Sequence, residues 1–277
     1  MKIAAVQMLS TPDLRQNLAR AVDLVAQAAA AGAELVALPE YFCLMGRRDA
    51  DKLDIAEPPG QGPIQQMLAE TARRHGLWLA GGTLPLRIAS ANGWIADRAL
   101  NTSLVFTPDG RPAARYDKIH LFRFDDGERR YDEAATLEPG AAPVALTVVD
   151  RQGQPWRVGL SVCYDLRFPE LYRALMHPPC DLLLVPAAFT HPTGHAHWEL
   201  LLRARAVENQ CYVLAPAQGG QHENGRRTWG HSMAVGPWGE VMVVHEQDGE
   251  GVVLASLDAK RLSRVRAQLP ALEHRVL

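Results

Sequence analysis

Three side chains of different chemistry, a thiol, a carboxyl and an amine, each stand at or near the end of a short apolar segment. Cys163 follows the segment GLSV, Glu40 follows ELVALP, and Lys118 lies within RYDKIHLF. A thiol can attack an acyl carbon, a carboxylate can accept and return its proton, and an ammonium can stabilise the oxyanion that forms. This set of groups predicts hydrolysis of an amide or nitrile, provided that the fold brings them together.

Each of the three residues also has an ordinary structural interpretation. A cysteine after an apolar strand is commonly an inert core residue, a lone glutamate commonly opens a solvated loop, and a lysine commonly lies at the surface. The site hypothesis depends on the three together, with partly apolar surroundings raising the pKa of Glu40 towards that of a useful general base. Cys43, Cys180 and Cys211 lack such neighbours in the sequence, so we assign them to packing.

Short β-type runs alternate with amphipathic helical segments along the chain, which predicts an α/β fold. Strands are expected near 2–8, 34–38, 77–84, 99–107, 112–117, 156–163, 181–186, 211–216, 231–236, 241–245 and 251–257. Helices are expected from about 13 to 32 and over 63–75, 169–176, 195–209 and 258–268. Thr11 is expected to cap the first helix, and 119–140 to be irregular. Glu40, Lys118 and Cys163 would then all lie where the chain leaves a strand, at sheet edges that often carry catalytic groups.

Composition limits the partners that this protein can have. The 277 residues include 29 basic and 31 acidic side chains, and the net charge of −2 gives no field that favours nucleic acid or an anionic membrane. No apolar segment reaches the roughly 18 residues of a membrane span, and the first residues resemble a buried strand rather than a secretory signal. We therefore expect a cytoplasmic protein with reduced cysteines, a small-molecule substrate and one domain over residues 1–277.

At the three reactive positions the chain resembles the nitrilase (carbon–nitrogen hydrolase) superfamily, whose Glu-Lys-Cys site is carried by three separated motifs in this order. The matching segments are LPEYF at 38–42, RYDKIHLF at 115–122 and GLSVCYDLRFPELYR at 159–173. Each segment alone is a modest signal, whereas the ordered set is specific, and the resemblance covers essentially the whole chain. It implies a four-layer α-β-β-α sandwich, a thioester on Cys163, and catalysis without metal or organic cofactor.

The resemblance also implies residues that support the site. The family commonly has a second glutamate between the lysine and cysteine motifs, and the segment RYDEAATLEPG puts Glu133 at the matching place. Glu128 and Glu138 are near enough in sequence to leave the choice open. The implied role is orientation of Lys118 and substrate. The backbone N–H of Tyr164, at the turn after the nucleophile, is the expected second oxyanion donor.

Further segments resemble the Nit amidases, a branch that includes deaminated-glutathione amidase and omega-amidase. The segments PAAFT at 186–190 and TGHAHWELLLRARAVENQCY at 193–212 match both, whereas AQGGQH at 217–222 and GRRTWGHS at 225–232 are closer to the first. The implied substrate is a small amide with keto and carboxylate groups. The residues expected to bind it or its oxyanion are Tyr164, Arg167, Phe189, Thr190 and His197.

Several polar residues of these segments have two interpretations. The cationic candidates for a substrate carboxylate are Arg167, Arg203, Arg226 and Arg227. Internal ion pairing is the favoured alternative for Arg167, Arg203 and Arg205.

A cluster of three histidines suggests a metal site at first sight. The spacing of His191, His195 and His197 across Pro192 and Gly194 does not place three ligands on one helical face, so we expect no metal. His197 and Trp198 are expected to pack in the helix and line the pocket.

Other functions remain open beside an amidase that acts through a thioester. The same three groups would serve an omega-amidase acting on α-ketoglutaramate, an N-carbamoyl-amino-acid hydrolase or an aliphatic nitrilase. A binding scaffold with a vestigial pocket is the non-enzymatic alternative. The presence of Glu40, Lys118 and Cys163 argues against it, because buried charges without a function destabilise a fold. The resemblance also implies a homodimer.

Overall fold

Two large β-sheets dominate the computed structural model, which describes residues 1–91, 93–125, 127 and 130–276. The strands are β1 (Lys2–Gln7), β2 (Leu35–Ala37), β3 (Trp78–Ala80), β4 (Leu84–Ser90), β5 (Gly93–Phe106), β6 (Pro112–Asp117), β7 (Arg123–Asp125), β8 (Arg130–Asp132), β9 (Leu137–Glu138), β10 (Val144–Val149), β11 (Pro155–Leu160), β12 (Leu182–Leu184), β13 (Tyr212–Ala215), β14 (Gly219–Gln221), β15 (Arg227–Trp229), β16 (Met233–Val235), β17 (Val241–Val244) and β18 (Gly251–Ser256). The helices are α1 (Leu14–Ala30), α2 (Asp51–Asp54), α3 (Pro63–His75), α4 (Pro169–Ala174), α5 (His191–Asn209) and α6 (Ala259–Gln268), with 3₁₀ turns at Glu133–Ala135 and Cys163–Arg167.

The two sheets share the same internal plan. Strands run β18-β1-β2-β3-β5-β4 in the first sheet, with β6 and β9 both paired to β5, and β10-β11-β12-β13-β16-β17 in the second. The strands β1, β2 and β3 are parallel, as are β11, β12 and β13, and antiparallel strands flank each set. Because the carboxyl ends of parallel strands meet at one edge of a sheet, the loops that follow β2 and β11 each open at such an edge.

Helices cover the outer faces of both sheets. Helices α1 and α3 pack on the first sheet, where Leu24, Val25, Ile64 and Leu68 are buried. Helix α5 packs on the second sheet through residues that include Leu202 and Ala206. Between the sheets, inward-facing side chains of both, such as those of Ile3 and Val158, form a common core. This layering confirms the predicted four-layer α-β-β-α sandwich.

The structure corrects several details of the predicted elements. The first helix is capped by Asp13, whose carboxylate accepts from the Gln16 N–H at 3.1 Å, and not by Thr11. The segment 119–140 is not irregular throughout, because it contains the β7–β8 hairpin, a 3₁₀ turn and β9. Strand β10 had no counterpart in the prediction. Its partly exposed residues draw their order from pairing with β11 rather than from a local pattern.

The helices and cysteines bear on two further expectations. Among the described residues, no helix has the length and apolar character needed to cross a lipid bilayer. All four cysteines are buried free thiols. Burial raises the pKa of Cys43 to about 12 and that of Cys180 to about 11, and it also raises the pKa of Cys211. These three side chains pack in the core, as the sequence indicated.

Candidate active site

Three strand exits bring the reactive residues to one place. Glu40 lies in the turn after β2, Lys118 directly follows β6, and Cys163 begins the 3₁₀ turn after β11. Cys163 has a φ of +49°, a left-handed conformation that is unfavourable for a residue with a side chain. Its N–H is fixed by donating to the Pro186 carbonyl at 2.9 Å. The backbone therefore maintains local strain at the residue whose thiol was predicted to react.

The carboxylate of Glu40 is satisfied by three donors. Lys118 Nζ donates to its Oε1 at 2.9 Å, Asn101 Nδ2 donates to the same oxygen at 3.0 Å, and the Ala188 N–H donates to Oε2 at 3.0 Å. Glu40 and Lys118 are each only 1% exposed. A buried ion pair of this kind is favourable only when its remaining polar atoms are paired, as they are for Glu40.

Glu133 is the loop glutamate that joins this pair. Its carboxylate accepts from Lys118 Nζ at 2.8 and 3.0 Å, from the Tyr41 hydroxyl at 2.6 Å and from the Phe122 N–H at 2.7 Å. Glu138 instead pairs with Arg98 at 3.3 Å, away from Lys118, and Glu128 lies outside the described residues. Lys118 is thus held between two carboxylates.

Electrostatics fix the charge states of this cluster. Burial opposes the ammonium of Lys118, but the charges of Glu133 and Glu40 outweigh it and raise the pKa of Lys118 well above its ordinary value. Burial also opposes the carboxylate of Glu133, and Lys118 outweighs it and lowers the pKa of Glu133. At neutral pH, Lys118 is therefore an ammonium and Glu133 a carboxylate.

Cys163 shares its surroundings with Glu40. Burial and the negative charge of Glu40 raise the pKa of the Cys163 thiol well above its ordinary value, and the nearby Lys118 only partly offsets them. The resting thiol of Cys163 is therefore protonated, and it lines the same pocket as the Glu40 carboxylate. This arrangement suits proton transfer from sulfur to Glu40 at the moment of attack, rather than a stored thiolate.

A pocket opens in front of the thiol. Glu40, Glu133 and Cys163 line it, together with Tyr41, Phe122, Tyr164, Arg167, Ala188, Phe189, Thr190, Thr193 and Arg226. The N–H groups on either side of Tyr164 are paired, since Cys163 donates to Pro186 and Asp165 to Val162. In the described part of the chain, the Tyr164 N–H is thus the first-turn donor that remains for a ligand.

Arg167 and His197 differ from their predicted surroundings. The guanidinium of Arg167 has no carboxylate partner among the described residues, contrary to the favoured ion-pair interpretation. It lies 5.9 Å from the ring centroid of Tyr164 and 5.5 Å from that of Phe189, and its Nη2 is 3.2 Å from His197 Nδ1. His197 is exposed and contacts Arg167 from outside the pocket, because α5 turns its ring towards solvent. Trp198 is buried behind Phe189 rather than lining the cavity.

The other arginines divide between pocket and scaffold. Arg226 lines the pocket. Arg205 is internal and donates to the Leu166 carbonyl and to Glu208, as the ion-pair interpretation predicted. Arg203 donates to Glu199 and to the Gly239 carbonyl, and Arg227 pairs with Asp248. Arg203 and Arg227 are not among the described residues that line the pocket, so they are not candidates for substrate contact.

The three histidines of the α5 region do not converge. The rings of His191 and His195 each pack edge-on against Trp229, at centroid distances of 5.1 and 5.2 Å, whereas His197 contacts Arg167. Among the residues that the structure describes, no group of three or more potential ligands has the geometry to hold a metal ion.

Comparison with known proteins shows the family of this chain. Residues 2–267 match the profile of the family described as Carbon-nitrogen hydrolase. This match spans the whole pocket. The chain belongs to the carbon–nitrogen hydrolase family.

The names of similar proteins indicate the class of reaction that this hydrolase catalyses. It is 42% identical over 275 residues to a deaminated glutathione amidase of Synechocystis sp., covering 99% of this chain and 97% of the relative. It is 38% identical to the omega-amidase NIT2-A of Xenopus laevis, covering 97% and 92% of the two chains. The crystal structure of Saccharomyces cerevisiae Nit3, a member of branch 10 of the nitrilase superfamily, matches with a TM-score of 0.85 and 30% identity over 100% of this chain and 97% of Nit3. The protein is an amide-hydrolysing enzyme, which removes the scaffold alternative.

A buried aspartate that sequence reasoning missed links the cysteine and lysine loops of this carbon–nitrogen hydrolase. Asp165 is fully buried. Its Oδ2 accepts from the Tyr116 hydroxyl at 2.7 Å and from the Val162 N–H at 2.8 Å, while its Oδ1 accepts from the His120 N–H at 3.0 Å. The signal available in the sequence was the position of Asp165, two residues after Cys163. Its partners in the lysine motif, Tyr116 and His120, could be identified only from the fold.

Asn101 and Tyr41 were also missed as contacts of the two glutamates. Asn101 lies in β5, far from Glu40 in sequence, and no local pattern relates the two. Tyr41 is adjacent to Glu40 in the LPEYF motif but faces Glu133, because its φ of +56° turns the chain. Gly82 permits this turn, since a Cβ there would lie 2.0 Å from the Pro39 carbonyl oxygen.

Proposed function

We propose that this amidase hydrolyses the amide of a small keto acid, with deaminated glutathione as its substrate and Cys163 as its nucleophile. The observation that carries the proposal is that Glu40, which pairs with the Lys118 ammonium, lines the same pocket as the Cys163 thiol. A base, a cation and a nucleophile in this relation are what thioester chemistry requires.

The proposed reaction begins as Glu40 takes the proton of the Cys163 thiol. Sulfur attacks the amide carbon, and the oxyanion that forms is stabilised by the Lys118 ammonium and the Tyr164 N–H. Protonated Glu40 returns its proton to the leaving nitrogen, the C–N bond breaks, and a thioester remains on Cys163. A water molecule, deprotonated by Glu40, attacks the thioester and releases the carboxylic acid, while the thiolate regains the proton from Glu40. Glu133 keeps Lys118 charged and oriented throughout.

The substrate class is supported by the walls of the pocket. The Arg167 guanidinium, without a carboxylate partner among the described residues, suits a substrate carboxylate or keto oxygen. Phe189, Thr190 and Thr193 complete that wall. The relative from Synechocystis sp. is named a deaminated glutathione amidase, which supports that substrate. Omega-amidase activity on α-ketoglutaramate is the second candidate, because NIT2-A of Xenopus laevis is nearly as similar.

Mass spectrometry of the intact protein tests the proposal directly. The wild type is mixed with deaminated glutathione, α-ketoglutaramate and an N-carbamoyl amino acid, and quenched in acid. We expect an acyl adduct on Cys163 and turnover with the first. Cys163→Ala is expected to lose both while keeping its melting temperature, and Cys211→Ala, another buried thiol, serves as the matched control. Turnover by Cys163→Ala, or no adduct and no turnover with any of the three amides, would refute the proposed function.

We also propose that the chain forms one domain and assembles as a homodimer. Support for one domain comes from the core that both sheets share. Support for a dimer comes from three large apolar side chains at the surface, Leu200, Val207 and Trp238, which are 67%, 51% and 60% exposed. Light scattering after gel filtration is expected to give twice the mass of 30.4 kDa, and a monomer at micromolar concentration would exclude the dimer.

We also propose that the protein is located in the cytoplasm. The support is that all four cysteines are free thiols, and cell fractionation tests the proposal.

A further inference from the structure

A second, smaller cavity adjoins the catalytic pocket on the far side of the Tyr41 ring. Tyr41 and Arg226 line both spaces, so the two are neighbours across a shared wall. The outer cavity is otherwise lined by residues 44–46, Arg48, Asp49 and Lys52. Nothing in the proposed thioester chemistry uses these outer residues.

Lys52 is the unusual residue of this outer cavity. It lies in the short helix α2 and is only partly exposed, and its Nζ stands 5.3 Å from the centroid of the Tyr41 ring. Among the described residues, no ion pair includes it. Burial lowers the pKa of Lys52, and the charges of Glu133 and Asp49 only partly offset this. A half-buried ammonium without a carboxylate partner is destabilising by itself, and an anion bound beside it would remove that penalty.

Arg226 supplies a second cation to the same wall. Its Cζ lies 5.0 Å from the centroid of the Tyr131 ring, and no ion pair among the described residues includes it. Its backbone is fixed, because its N–H donates to Asn224 Oδ1 at 2.9 Å and its carbonyl accepts from the His222 N–H at 2.8 Å. The backbone of Arg226 is therefore fixed, and its guanidinium packs over the Tyr131 ring.

The remaining charges at the outer cavity do not cancel these two cations. Arg48 is neutralised by Asp51, to which it donates at 2.9 Å. Asp49 is exposed, so water and salt screen its negative charge more strongly than the charge of the partly buried Lys52. The residues that line the outer cavity therefore carry net positive charge, which the Glu133 carboxylate, itself paired with Lys118, only partly offsets at Lys52.

We propose that Lys52 and Arg226 form a second anion subsite, which binds a carboxylate on the part of the substrate remote from the scissile amide. The inference rests on the proposed function and extends it to specificity. Arg167 lines the thiol pocket and Lys52 the outer cavity, so an elongated amide that carries a carboxylate at each end would place one carboxylate at each cation. Deaminated glutathione has this form, with a keto-acid carboxylate on its acyl side and a glycine carboxylate on its leaving group. The short amide α-ketoglutaramate has no second carboxylate.

The subsite is tested by removing the charge of Lys52 in the protein and, separately, the distal carboxylate in the substrate. Wild type, Lys52→Met and Arg226→Gln are assayed with deaminated glutathione, with its glycine carboxamide, and with α-ketoglutaramate. Lys52→Met is expected to raise KM for deaminated glutathione about 10-fold, about 1.4 kcal/mol, while kcat changes little. For the two substrates without the distal carboxylate, we expect KM to stay within about twofold of the wild type. Lys260→Met, a substitution of an exposed lysine in α6, is the matched control.

The pattern across substrates separates a binding role from a structural one. A general defect of folding would affect all three substrates alike and would lower the melting temperature, and that outcome would overturn the subsite. An unchanged KM for deaminated glutathione in Lys52→Met would overturn it as well.

A binding experiment tests the subsite independently of the proposed reaction. Calorimetry on Cys163→Ala measures the affinity for deaminated glutathione and for its carboxamide, with and without Lys52→Met. We expect Lys52→Met to weaken binding of the charged ligand alone. If wild type forms no thioester but this difference in affinity holds, the proposed function fails and the subsite stands. If thioester forms but the difference is absent, only the subsite fails.

Discussion

Replacing Glu133 by glutamine tests whether this residue, rather than another loop glutamate, supports Lys118. The substitution keeps the shape of the side chain and removes its charge. The Phe122 N–H and the Tyr41 hydroxyl can still bond to a carboxamide, since a hydroxyl can donate or accept. Lys118 Nζ contacts both oxygens of Glu133, so in either orientation the new amide nitrogen faces the ammonium. The variant therefore loses the ionic bond and gains one unfavourable donor–donor contact.

The magnitude follows from the burial of the pair. Removing one partner of a buried ion pair costs about 3–5 kcal/mol. Glu40 remains beside Lys118 at 2.9 Å and still balances its charge, which favours the lower end of that range. At about 2–4 °C per kcal/mol, a loss of about 3 kcal/mol lowers the melting temperature by roughly 6–12 °C. A misplaced oxyanion donor lowers kcat by about 10²-fold.

The pH dependence gives a second signature of the same residue. The pKa of Glu133 is lowered in the folded protein, so its contribution to stability is present above the unfolded pKa of about 4.3 and is lost as pH falls through the folded value. The difference in melting temperature between wild type and Glu133→Gln is therefore expected to be full at pH 7 and to shrink as pH falls below about 4.3. Loss of Glu133 also lowers the pKa of Lys118, so the alkaline limb of kcat/KM is expected to move to lower pH.

Thermal unfolding and steady-state release of the amine, each measured over a range of pH, provide the assay. Glu138→Gln is the matched control, because Glu138 lies five residues later in β9 and pairs with Arg98, so this variant is expected to behave as wild type. If Glu133→Gln kept wild-type kcat and melting temperature, or if Glu138→Gln showed the larger loss, the account of Lys118 given above would be wrong.

Two further substitutions test how the strand-end loops are held. Gly82→Ala places a Cβ 2.0 Å from the Pro39 carbonyl oxygen at a φ of +52°. We expect the free energy of unfolding to fall by about 1–3 kcal/mol from backbone strain alone, and by more from the clash. Thermal unfolding measures this loss, and Gly60→Ala, which has open space at a positive φ of +79°, is the control. Asp165→Asn turns an amide N–H towards at least one of the four donor contacts from Tyr116, Val162 and His120. We therefore expect kcat to fall at least about 10-fold and the free energy of unfolding to fall by about 1–3 kcal/mol. Unchanged kcat would show that this link does not position Cys163.

The sequence by itself determined the alternation of strands and helices and the order of the three motifs. These features are local, since apolar periodicity and residues such as Pro63 and Gly76 define elements within a few turns of chain. Motif order was enough to identify Glu40, Lys118 and Cys163 as candidates and to predict the four-layer sandwich through the resemblance. The structure has Glu40 and Cys163 in the lining of one pocket, and Lys118 bonded to Glu40.

Only the tertiary structure decided which partners surround those residues. Glu133 and Glu138 both lie between the lysine and cysteine motifs, and the 3₁₀ turn after β8 directs the first to Lys118 while the second pairs with Arg98. Asn101 reaches Glu40, and Lys52 reaches the far side of Tyr41, through contacts between segments distant in the chain. Such contacts depend on how two sheets pack against each other, a long-range property that no window of sequence contains.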